Sequence, residues 1–573
     1  MPKCAILCDK CLNINLDKLA QKIDADVIKV HTCEDELDVD VRYHYVIFGC
    51  PALYHSSDYP GMYDIVDLRL IEGVFKKPEK VAADWINSSL VSIVPPTRAV
   101  ETTDDVIYWG NNLDVIEELS RCTNLTVVAD RQTAKKLYPF HFRVLEVNDG
   151  QAVVTGEVGN FEMVVKGYDP IKGKSGNFTL RAGQLVVPEG LADDREGIFS
   201  YGDTSQEYRA ALKLINNLGG YAKINPVHIR YDMCATSKSG IAGCELCFSC
   251  PQGAVTRVRE KISISDSCNG CGFCAAVCPL SVMDNTLLPS YKLLEKINAV
   301  AGENKTVAFI CEGSLGDLYE LKGGKKLAEI SPIVVPCINA ISEVHYLYTV
   351  LKGANVVVIP CEEEHNFKCY ELAKQTLDAF GFDCLRTSSF EELNKSKIKG
   401  KNPGDIMVDL VGENKREQWL NLVKKLREYY PVKKAVFDSD LFATVGINDN
   451  CTLCMTCTHF CPTGAIRREE ESIYFDHGLC IACNLCTACP EEAIDIERVL
   501  DFNQLGEKEI FRDEILSCPS CGKPHISRGM YEKLSAVGEH SLLFCSECRP
   551  KIILESIYEE IMNEKREHGE KNE

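Results

Sequence analysis

Long apolar stretches and an excess of positive charge are both missing from this sequence. No run approaches the roughly 18 consecutive apolar residues of a membrane helix, and residues 1–9 lack the basic segment and apolar core of a signal peptide. With 63 basic and 84 acidic residues, the formal net charge is −21, which disfavours nucleic acid and suits basic patches on redox partners. We therefore expect a cytoplasmic protein with no membrane insertion and no nucleic acid partner.

Motifs for dinucleotides and phosphates are missing as well. No Gly-x-Gly-x-x-Gly follows a predicted strand, so a pyrophosphate group has no recognisable helix N-terminus to occupy. The sequence also contains no Ser-His-Asp order, no paired-carboxylate signature and no phosphate-binding loop. We expect neither FAD nor NAD, and no hydrolase or transferase activity.

Cysteine, in contrast, is abundant. The 573 residues include 31 cysteines, most of them grouped in tight triplets and pairs. This grouping indicates metal sites in a reducing compartment, since disulfides of a secreted scaffold would not be concentrated in this way. The length is sufficient for about three to five domains, and we expect a multidomain protein of mixed α/β and α+β class.

The first dense group of cysteines lies in residues 231–285. Two triplets are spaced by two residues, and each half of the region ends in a Cys-Pro, at Cys250 and at Cys278, which is the pattern of a two-cluster ferredoxin. In such ferredoxins the last cysteine of each half binds the cluster of the other half. Exchanging the last cysteines in this way gives two crossed sets of ligands for 4Fe-4S clusters: Cys268, Cys271, Cys274 with Cys250, and Cys234, Cys244, Cys247 with Cys278. The second set departs from the usual spacing, because its first cysteine stands nine residues before the next. Zinc sites and disulfides are the alternatives, and both are disfavoured by the spacing.

A second module of the same kind is predicted at 441–500. Its crossed ligand sets are Cys451, Cys454, Cys457 with Cys489, and Cys480, Cys483, Cys486 with Cys461. A β-hairpin at 465–476 should join the two halves. The sequence thus predicts four 4Fe-4S clusters in two bacterial-type ferredoxin modules.

Residues 1–80 alternate short apolar strands with a helical segment, which predicts a parallel α/β layer. Four cysteines follow the strand ends, where parallel sheets bind ligands: Cys8, Cys11, Cys33 and Cys50. They are either ligands or small residues buried under the sheet.

The N-terminal region resembles the flavin-carrying subunit of heterodisulfide reductase in Cys8-Asp-Lys-Cys11-Leu-Asn-Ile, in Val46-Ile-Phe-Gly-Cys50-Pro and in Gly156-Glu-Val-Gly-Asn-Phe161. The resemblance implies a further 4Fe-4S cluster on the four N-terminal cysteines. Residues 81–230 then correspond to a degenerate flavin-domain-like or linking region, in which 180–190 retains a late strand and glycine turn.

Residues 304–392 predict a flavodoxin-like parallel α/β domain, with β-branched strands and crossover helices at 343–351 and 367–380. Its cysteines gather at the carboxyl edge of the sheet: Cys311, Cys337, Cys361 and Cys369. The domain resembles the delta subunit of methyl-viologen-reducing hydrogenase in Phe309-Ile-Cys311, in Val335-Pro-Cys337, in 352–361 and in Cys369-Tyr370. The resemblance implies a 2Fe-2S cluster on these four cysteines, although Ser314 stands where the family often has another cysteine. Buried thiols without metal are the alternative.

A linker and helix occupy 393–440, and a zinc-ribbon-like segment is predicted at 510–560. Its two Cys-x-x-Cys knuckles are Cys518/Cys521 and Cys545/Cys548, which give the four sulfurs that structural zinc prefers, with an iron-sulfur cluster as the rival. Residues 561–573 form a charged tail.

The predicted function is an electron-transfer protein that relays single electrons and has no catalytic residues of its own. The ferredoxin-like regions resemble large proteins whose genes lie beside formate dehydrogenase or hydrogenase systems. The resemblances imply partners such as a hydrogenase, a formate dehydrogenase or a heterodisulfide-reductase-like complex of anaerobic metabolism. Two alternatives stay open: a disulfide or thiol reductase at the α/β-domain cysteines, and a redox activator of another protein.

Overall fold

The computed structural model describes the chain apart from residues 1, 11, 32–38, 41, 56, 58, 60, 139–140, 148–150, 193–194, 240–242, 259–260, 266, 395–399, 537–539 and 570–573. The chain forms two compact units. The first comprises Met1–Ile93, Val227–Ser263 and Cys271–Glu573, and the second comprises Val94–Pro226 and Ile264–Gly270. None of the helices in the described part of the chain combines the length and apolar composition that crossing a bilayer requires.

The first unit begins with a parallel sheet and its helices. The elements are β1 Lys3–Cys8, α1 Leu16–Ala20, β2 Asp26–Val30, β3 Tyr45–Phe48, α2 Pro51–His55, β4 Met62–Ile65, α3 Leu68–Val74 and α4 Pro78–Ser89. All strands are parallel, in the order β2-β1-β3-β4. The central strands β1 and β3 are buried along most of their length, which explains their continuous apolar sequences. The predicted parallel α/β layer is confirmed here.

The second unit contains a mixed sheet. Its elements are β5 Thr97–Val100, β6 Asp105–Trp109, α5 Leu113–Cys122, β7 Asn124–Ala129, α6 Arg131–Lys136, β8 Arg143–Glu146, β9 Ala152–Glu157, β10 Asn160–Asp169, β11 Lys174–Ala182, β12 Gln184–Pro188, β13 Ile198–Tyr201, α7 Thr204–Asn216 and β14 Tyr221–Ile224. The sheet order is β11-β10-β8-β7-β6-β12-β13, with β9 beside β10. Strands β6, β7, β8, β12 and β13 are parallel, whereas β9, β10 and β11 form an antiparallel meander. Two apolar layers cover the faces of this sheet.

The first cysteine-rich module returns to the first unit. Its elements are β15 Val227–Ile229, α8 Ala235–Ser239, β16 Val255–Val258, β17 Lys261–Ile264, α9 Phe273–Val277, β18 Met283–Asn285 and α10 Ser290–Val300. Strand β15 pairs antiparallel with β18, and β16 pairs with β17. These short strands hold the cysteine loops between them.

A second parallel sheet follows in the same unit. Its elements are β19 Thr306–Cys311, α11 Leu315–Glu320, β20 Ser331–Val335, α12 Glu343–Leu351, β21 Asn355–Ile359, α13 Lys368–Phe380 and β22 Leu385–Thr387. The strands are all parallel, in the order β20-β19-β21-β22. Its core is continuous with that of the N-terminal sheet, because Trp85 and Ile86 of α4 pack in one cluster with Ala5 and Ile310. The bond from Ser88 Oγ to the Pro332 carbonyl, 3.0 Å, also joins the two parts.

The last part of the chain contains the second cysteine-rich module and the knuckles. Its elements are α14 Lys415–Tyr429, β23 Val436–Asp438, β24 Thr444–Ile447, α15 Thr456–Phe460, β25 Ile466–Glu469, β26 Ser472–Asp476, β27 Ile494–Glu497, β28 Val499–Asp501, β29 Glu507–Arg512, β30 Ile515–Ser517, β31 Pro524–Ser527, α16 Arg528–Ala536 and α17 Arg549–Gly569. Helix α14 anchors this part to the second parallel sheet: its fully buried Trp419 donates from Nε1 to Thr376 Oγ1 of α13 at 3.1 Å.

Candidate metal centres

Four thiols of the first module line one small cavity. They are Cys234, Cys244, Cys247 and Cys278, the set that ligand crossing assigns to one cluster. Apolar side chains, including Leu246 and Ile262, complete the wall. Although Cys234 stands far from the triplet in sequence, the hydroxyl of the nearby Thr236 donates to the Cys244 carbonyl at 2.9 Å. This bond closes the long loop so that Cys234 reaches the cavity.

Two of the thiols in the wall of this cavity, Cys244 and Cys247, are hard to ionise as free side chains. Desolvation, reinforced by the charges of neighbouring thiols, raises the pKa of Cys244 to about 12 and that of Cys247 even further. A thiol that binds a metal loses its proton outright. The four sulfurs around an apolar cavity therefore fit an iron-sulfur cluster, whose irons would stabilise the thiolates that burial disfavours.

The other crossed set of this module is only partly contained in the first unit. Cys274 is buried on α9, and its charge acts on Cys247 of the neighbouring set. The charge of Cys271 likewise raises the pKa of Cys337, which follows a strand of the second parallel sheet. Cys250 is half-buried and its carbonyl accepts from Gly253 N–H at 3.0 Å. Cys268 lies in the segment Ile264–Gly270 that groups with the second unit.

A second small cavity lies in the second module. The cysteines in its wall are Cys461, Cys480, Cys483 and Cys486, again one crossed set. Desolvation and the neighbouring thiol charges raise the pKa of Cys483 to about 11. The hydroxyl of Thr463 lies 3.6 Å from Cys461 Sγ, in reach of a weak bond that would tune a bound cluster.

The remaining set of this module is also assembled. Cys457 is buried, and its pKa is raised to about 11 by desolvation and by the charges of Cys451, Cys454 and Cys489. Thr456 Oγ1 lies 3.3 Å from Cys454 Sγ. The structure thus brings together the residues that crossing assigns to this cluster.

A repeated backbone device shapes the cysteine loops, and sequence reasoning missed it. After each Cys-Pro, the third residue beyond the cysteine has a left-handed backbone and donates its N–H to the cysteine carbonyl at 3.0–3.4 Å: Gly253, Ser281, Gly464 and Glu492. Three of the four triplets also have left-handed residues two and four positions after their first cysteine: Gly270 and Gly272, Leu453 and Met455, Ala482 and Asn484. Left-handed non-glycine residues are strained and persist where the surroundings enforce them, often at functional sites. The triplet beginning at Cys244, which recruits the distant Cys234, is the exception.

The two cavities share a wall. Ile481, which is 1% exposed, lines both of them. Beside it, the buried guanidinium of Arg416 carries charge that acts on both Cys244 and Cys480. Its Nη2 donates to the Leu441 carbonyl at 2.7 Å, while Nη1 has no hydrogen-bond partner within the described residues. A buried cation with an unused donor between two thiol sets fits a role beside anionic clusters.

The thiols of the second parallel sheet form a different group from the one predicted. Cys311 Sγ lies 3.3 Å from Cys361 Sγ, and His365 Nε2 lies 3.9 Å and 3.7 Å from these two sulfurs. Cys337 hydrogen-bonds to Cys311, which lowers the pKa of Cys311 and raises that of Cys337. Sequence reasoning missed His365, although its position four residues after Cys361 was a usable signal.

The structure places Cys369 outside this group. Its buried thiol donates to the Ala276 carbonyl on α9 at 3.3 Å and also meets Glu343. Desolvation raises its pKa to about 12. The sequence could not distinguish a thiol at the mouth of the sheet from one buried at the start of α13 against the neighbouring module, and the expected set of four cysteines is not assembled.

The N-terminal cysteines are described in part. Cys8 and Cys50 are buried in one apolar cluster with Cys4, Phe48 and Tyr59. Desolvation, with the charge of Asp26, raises the pKa of Cys4 to about 11. Cys11 and Cys33 lie outside the described residues.

The two knuckles meet. The sulfurs of Cys518, Cys521, Cys545 and Cys548 all lie within 4.8 Å of one another. Desolvation of Cys518 is outweighed by backbone N–H groups, including that of Cys545 at 3.4 Å, so its pKa falls to about 6. Gly522, with φ +75°, closes the first knuckle by donating to the Cys518 carbonyl. This is the donor set of a closed tetrahedral metal site.

Two comparisons with known proteins concern the cysteine-rich regions. A family model for the 4Fe-4S binding domain matches residues 445–467, which contain Cys451, Cys454, Cys457 and Cys461. Pyruvate synthase subunit PorD from Methanothermobacter marburgensis is 41% identical over 51 residues, 9% of this chain. The match covers 59% of that relative's length. With the cysteine-lined cavities, these similarities support an iron-sulfur protein with a role in electron transfer.

Proposed function

We propose that the chain is a non-catalytic electron carrier, in which four 4Fe-4S clusters form a path between larger oxidoreductases. The observation that carries this proposal is the shared wall at Ile481 between two cavities, each lined by four cysteines. Clusters in these cavities would be separated by little more than one side chain. A path of closely spaced one-electron centres suits transfer and offers no substrate site.

The order of the path follows from the contacts in the first unit. The set of Cys451, Cys454, Cys457 and Cys489 neighbours the set in the second cavity, because the charge of Cys457 acts on Cys486. Across Ile481 comes the set of the first cavity. Cys274, assigned by sequence to the fourth set, then acts on Cys247. The path therefore runs through both modules.

The partners are proposed from the resemblances and from charge. A net charge of −21 suits basic docking patches, and a reducing compartment such as the cytoplasm suits the thiols. Hydrogenase, formate dehydrogenase and heterodisulfide-reductase-like complexes are the partners that the resemblances suggest. The relative that matches 51 residues of this chain is itself named as a subunit of pyruvate synthase.

The knuckle site is proposed to hold structural zinc. Ligands of a tetrahedral zinc ion lie roughly 3.5–3.8 Å apart, and Cys521 Sγ and Cys545 Sγ are 3.6 Å apart. A 4Fe-4S cube binds its four thiolates through four different irons and needs a wider set of sulfurs. Zinc therefore fits better than a cluster. A further cluster on the N-terminal cysteines stays a prediction of the resemblance.

Iron content and reduction of anaerobically purified protein test the carrier proposal. About 16 irons per chain correspond to the four 4Fe-4S clusters, and about 20 would add the N-terminal one. We expect stepwise one-electron reduction by dithionite and reoxidation by an artificial acceptor. Iron near zero with intact folding, or clusters that do not reduce, would contradict the proposal.

A thiol reductase is the second candidate, favoured by the 3.3 Å contact of Cys311 and Cys361. Two thiols at that distance are able to form a disulfide after small movements, and they have His365 beside them. Turnover of a low-molecular-weight disulfide by the isolated protein with reduced methyl viologen as the electron donor, abolished in Cys311→Ser, would support this activity. The carrier proposal predicts no turnover without a partner protein.

A further inference from the structure

The carboxyl edge of the second parallel sheet holds a compact group of donor atoms. The Sγ atoms of Cys311 and Cys361 and the Nε2 atom of His365 all lie within 4.8 Å of one another. Their separations of 3.3, 3.7 and 3.9 Å bracket the roughly 3.5–3.8 Å edges of a tetrahedron of sulfur and nitrogen around one ion. Two irons bridged by sulfide divide the ligands into two separated pairs, so a 2Fe-2S cluster fits these separations less well.

A fourth donor is available next to the three. Cys337, two residues after β20, bonds to Cys311 through its thiol. Cys337 is not among the donors that lie within 4.8 Å of one another, and a movement of its thiol toward Cys361 and His365 would complete a set of three sulfurs and one nitrogen. That combination is one of the common donor sets of closed zinc sites.

The surrounding backbone leaves space for this group and little else. Gly313 lies two residues after Cys311, and a Cβ atom at this position would lie 3.1 Å from Cys361 Cβ and 3.3 Å from its sulfur. A side chain at this position would therefore be in tight contact with Cys361, and Cys361 would have to shift to accommodate it.

The loop that carries His365 is fixed on both sides. Asn366 N–H donates to Asn339 Oδ1 at 2.9 Å, which ties the loop to the segment after Cys337. The Asn366 and Lys368 side chains donate to Ser249 at 3.3 Å and 3.4 Å. The imidazole is thus held beside the two sulfurs by bonds of its neighbours, as ligands of a preorganised site are.

We propose that Cys311, Cys337, Cys361 and His365 bind one metal ion with tetrahedral coordination. Zinc is the ion that we expect at this site. Cys369 takes no part, because its thiol is bound to the Ala276 carbonyl. The centre differs in ligands and in nuclearity from the 2Fe-2S cluster that the resemblance implies. It lies beside the electron path, since Cys271 acts on Cys337 and Ser249 precedes Cys250. Because the loop that carries His365 also bonds to Ser249, an ion at this site would hold that loop against the first module.

Metal content of the full chain and matched variants tests this inference. We expect about two zinc ions per chain in the wild-type protein, one at the knuckles and one here. His365→Ala should retain about one, and Cys521→Ser should also retain about one. Cys369→Ala should retain both, because its thiol is outside the site. The iron content should be the same in all four proteins.

Cobalt substitution gives a second readout, because the absorption spectrum reports which atoms bind the metal and not only how much metal is bound. In Cys521→Ser protein refilled with Co²⁺, the remaining centre should show the absorption of a site with three sulfurs and one nitrogen. Adding His365→Cys should retain the metal and move the spectrum to that of four sulfurs. Loss of metal in Cys369→Ala with retention in His365→Ala would overturn the ligand set. About two additional irons that are lost in Cys311→Ser, with one zinc, would overturn the single ion in favour of a 2Fe-2S cluster.

Discussion

Single residues after each Cys-Pro carry the strain of the cluster loops. Glu492 is exposed and has φ +50°, a conformation that costs roughly 1–2 kcal/mol for a residue with a side chain. Gly464 has φ +67° in the matching turn, with no atom within 4 Å of where its Cβ would be. The two positions therefore differ in residue type and share one backbone geometry.

Opposite substitutions at these positions should have opposite effects. We predict that Glu492→Gly raises the free energy of unfolding by roughly 0.5–1 kcal/mol, while Gly464→Ala lowers it by about 1 kcal/mol. Anaerobic denaturation with guanidinium, followed by cluster absorbance and far-ultraviolet circular dichroism, measures both. If both variants changed stability in the same direction, the turn geometry described for these loops would be wrong.

Arg416 is the residue whose charge should set cluster potentials. Its buried guanidinium stacks on Phe442 at 3.5 Å and acts on Cys244 and Cys480. Desolvation lowers its pKa to about 10, so it stays charged at neutral pH. At an effective dielectric constant of 20, a unit charge about 7 Å from a cluster changes the free energy of adding one electron by roughly 2.4 kcal/mol. This corresponds to about 100 mV in the midpoint potential.

Removing this charge should make two clusters harder to reduce. We predict that Arg416→Met shifts the midpoint potentials of the clusters in both cavities by roughly −100 mV, as measured by redox titration with electron paramagnetic resonance. Arg416→Lys keeps the charge and should shift them much less. Unchanged potentials in Arg416→Met, with all irons present, would show that the guanidinium does not act on the clusters.

The sequence identified most thiols and few of the residues that surround them. Cysteine triplets carry their spacing in the sequence itself, so crossed sets such as Cys480, Cys483, Cys486 and Cys461 were accessible to reasoning from residues. Arg416 was not, because it acquires its role from segments distant in the chain, whereas His365 was missed although it lies only four residues after Cys361. Cys369 was predicted as a ligand, but its thiol donates to the carbonyl of Ala276 in another module. No local sequence pattern indicates this contact.

Among the elements, α12 begins with a pH-sensitive cap. The Ser342 N–H donates to His345 Nδ1 at 3.1 Å, and His345 Nε2 faces Ser290, so the buried ring is neutral. Desolvation, together with the charge of Lys415, lowers the pKa of His345 to about 4. Because the unfolded chain takes up this proton near pH 6.5, the stability contribution is complete above that pH and is lost as the pH falls toward 4.

The loss should be measurable against a variant that does not titrate. We predict that the unfolding free energy of the wild-type protein falls by up to about 3 kcal/mol more than that of His345→Gln between pH 7 and pH 4. Comparing the two proteins cancels the acid lability of the clusters themselves, and hydrogen exchange of α12 locates the effect. Parallel pH profiles would mean that burial does not lower the pKa of His345 in the folded protein.

Elements with strong local patterns were predicted well. The expected helix at 343–351 coincides with α12, and the one at 367–380 begins one residue later as α13. The mixed α/β fold with parallel sheets is confirmed, because buried β-branched strands and amphipathic helices are visible in sequence. The continuous core around α4 was not predicted, since it joins residues that are far apart in the chain.

At the scale of the whole molecule, the two cysteine modules are neighbours. A parallel α/β sheet and helix α14 separate them in sequence, yet Gly243 of the first faces Leu485 of the second, with a Cβ there only 3.3 Å from its side chain. Clusters so placed should interact magnetically when both are reduced. We predict broadened, spin-coupled electron paramagnetic resonance signals from the fully reduced protein.

The coupling should depend on both cavities being filled. Replacing Cys234 by alanine removes one ligand of the first cavity, so the signal from the second cavity should become narrower while its own cluster persists. Cys384→Ser is the matched control, because this buried cysteine belongs to none of the predicted ligand sets and the broad signal should survive its replacement. If Cys234→Ala lost its cluster and the remaining signals kept their full width, the clusters would be too far apart for the path through Ile481, and the two modules would have to exchange electrons with partners separately.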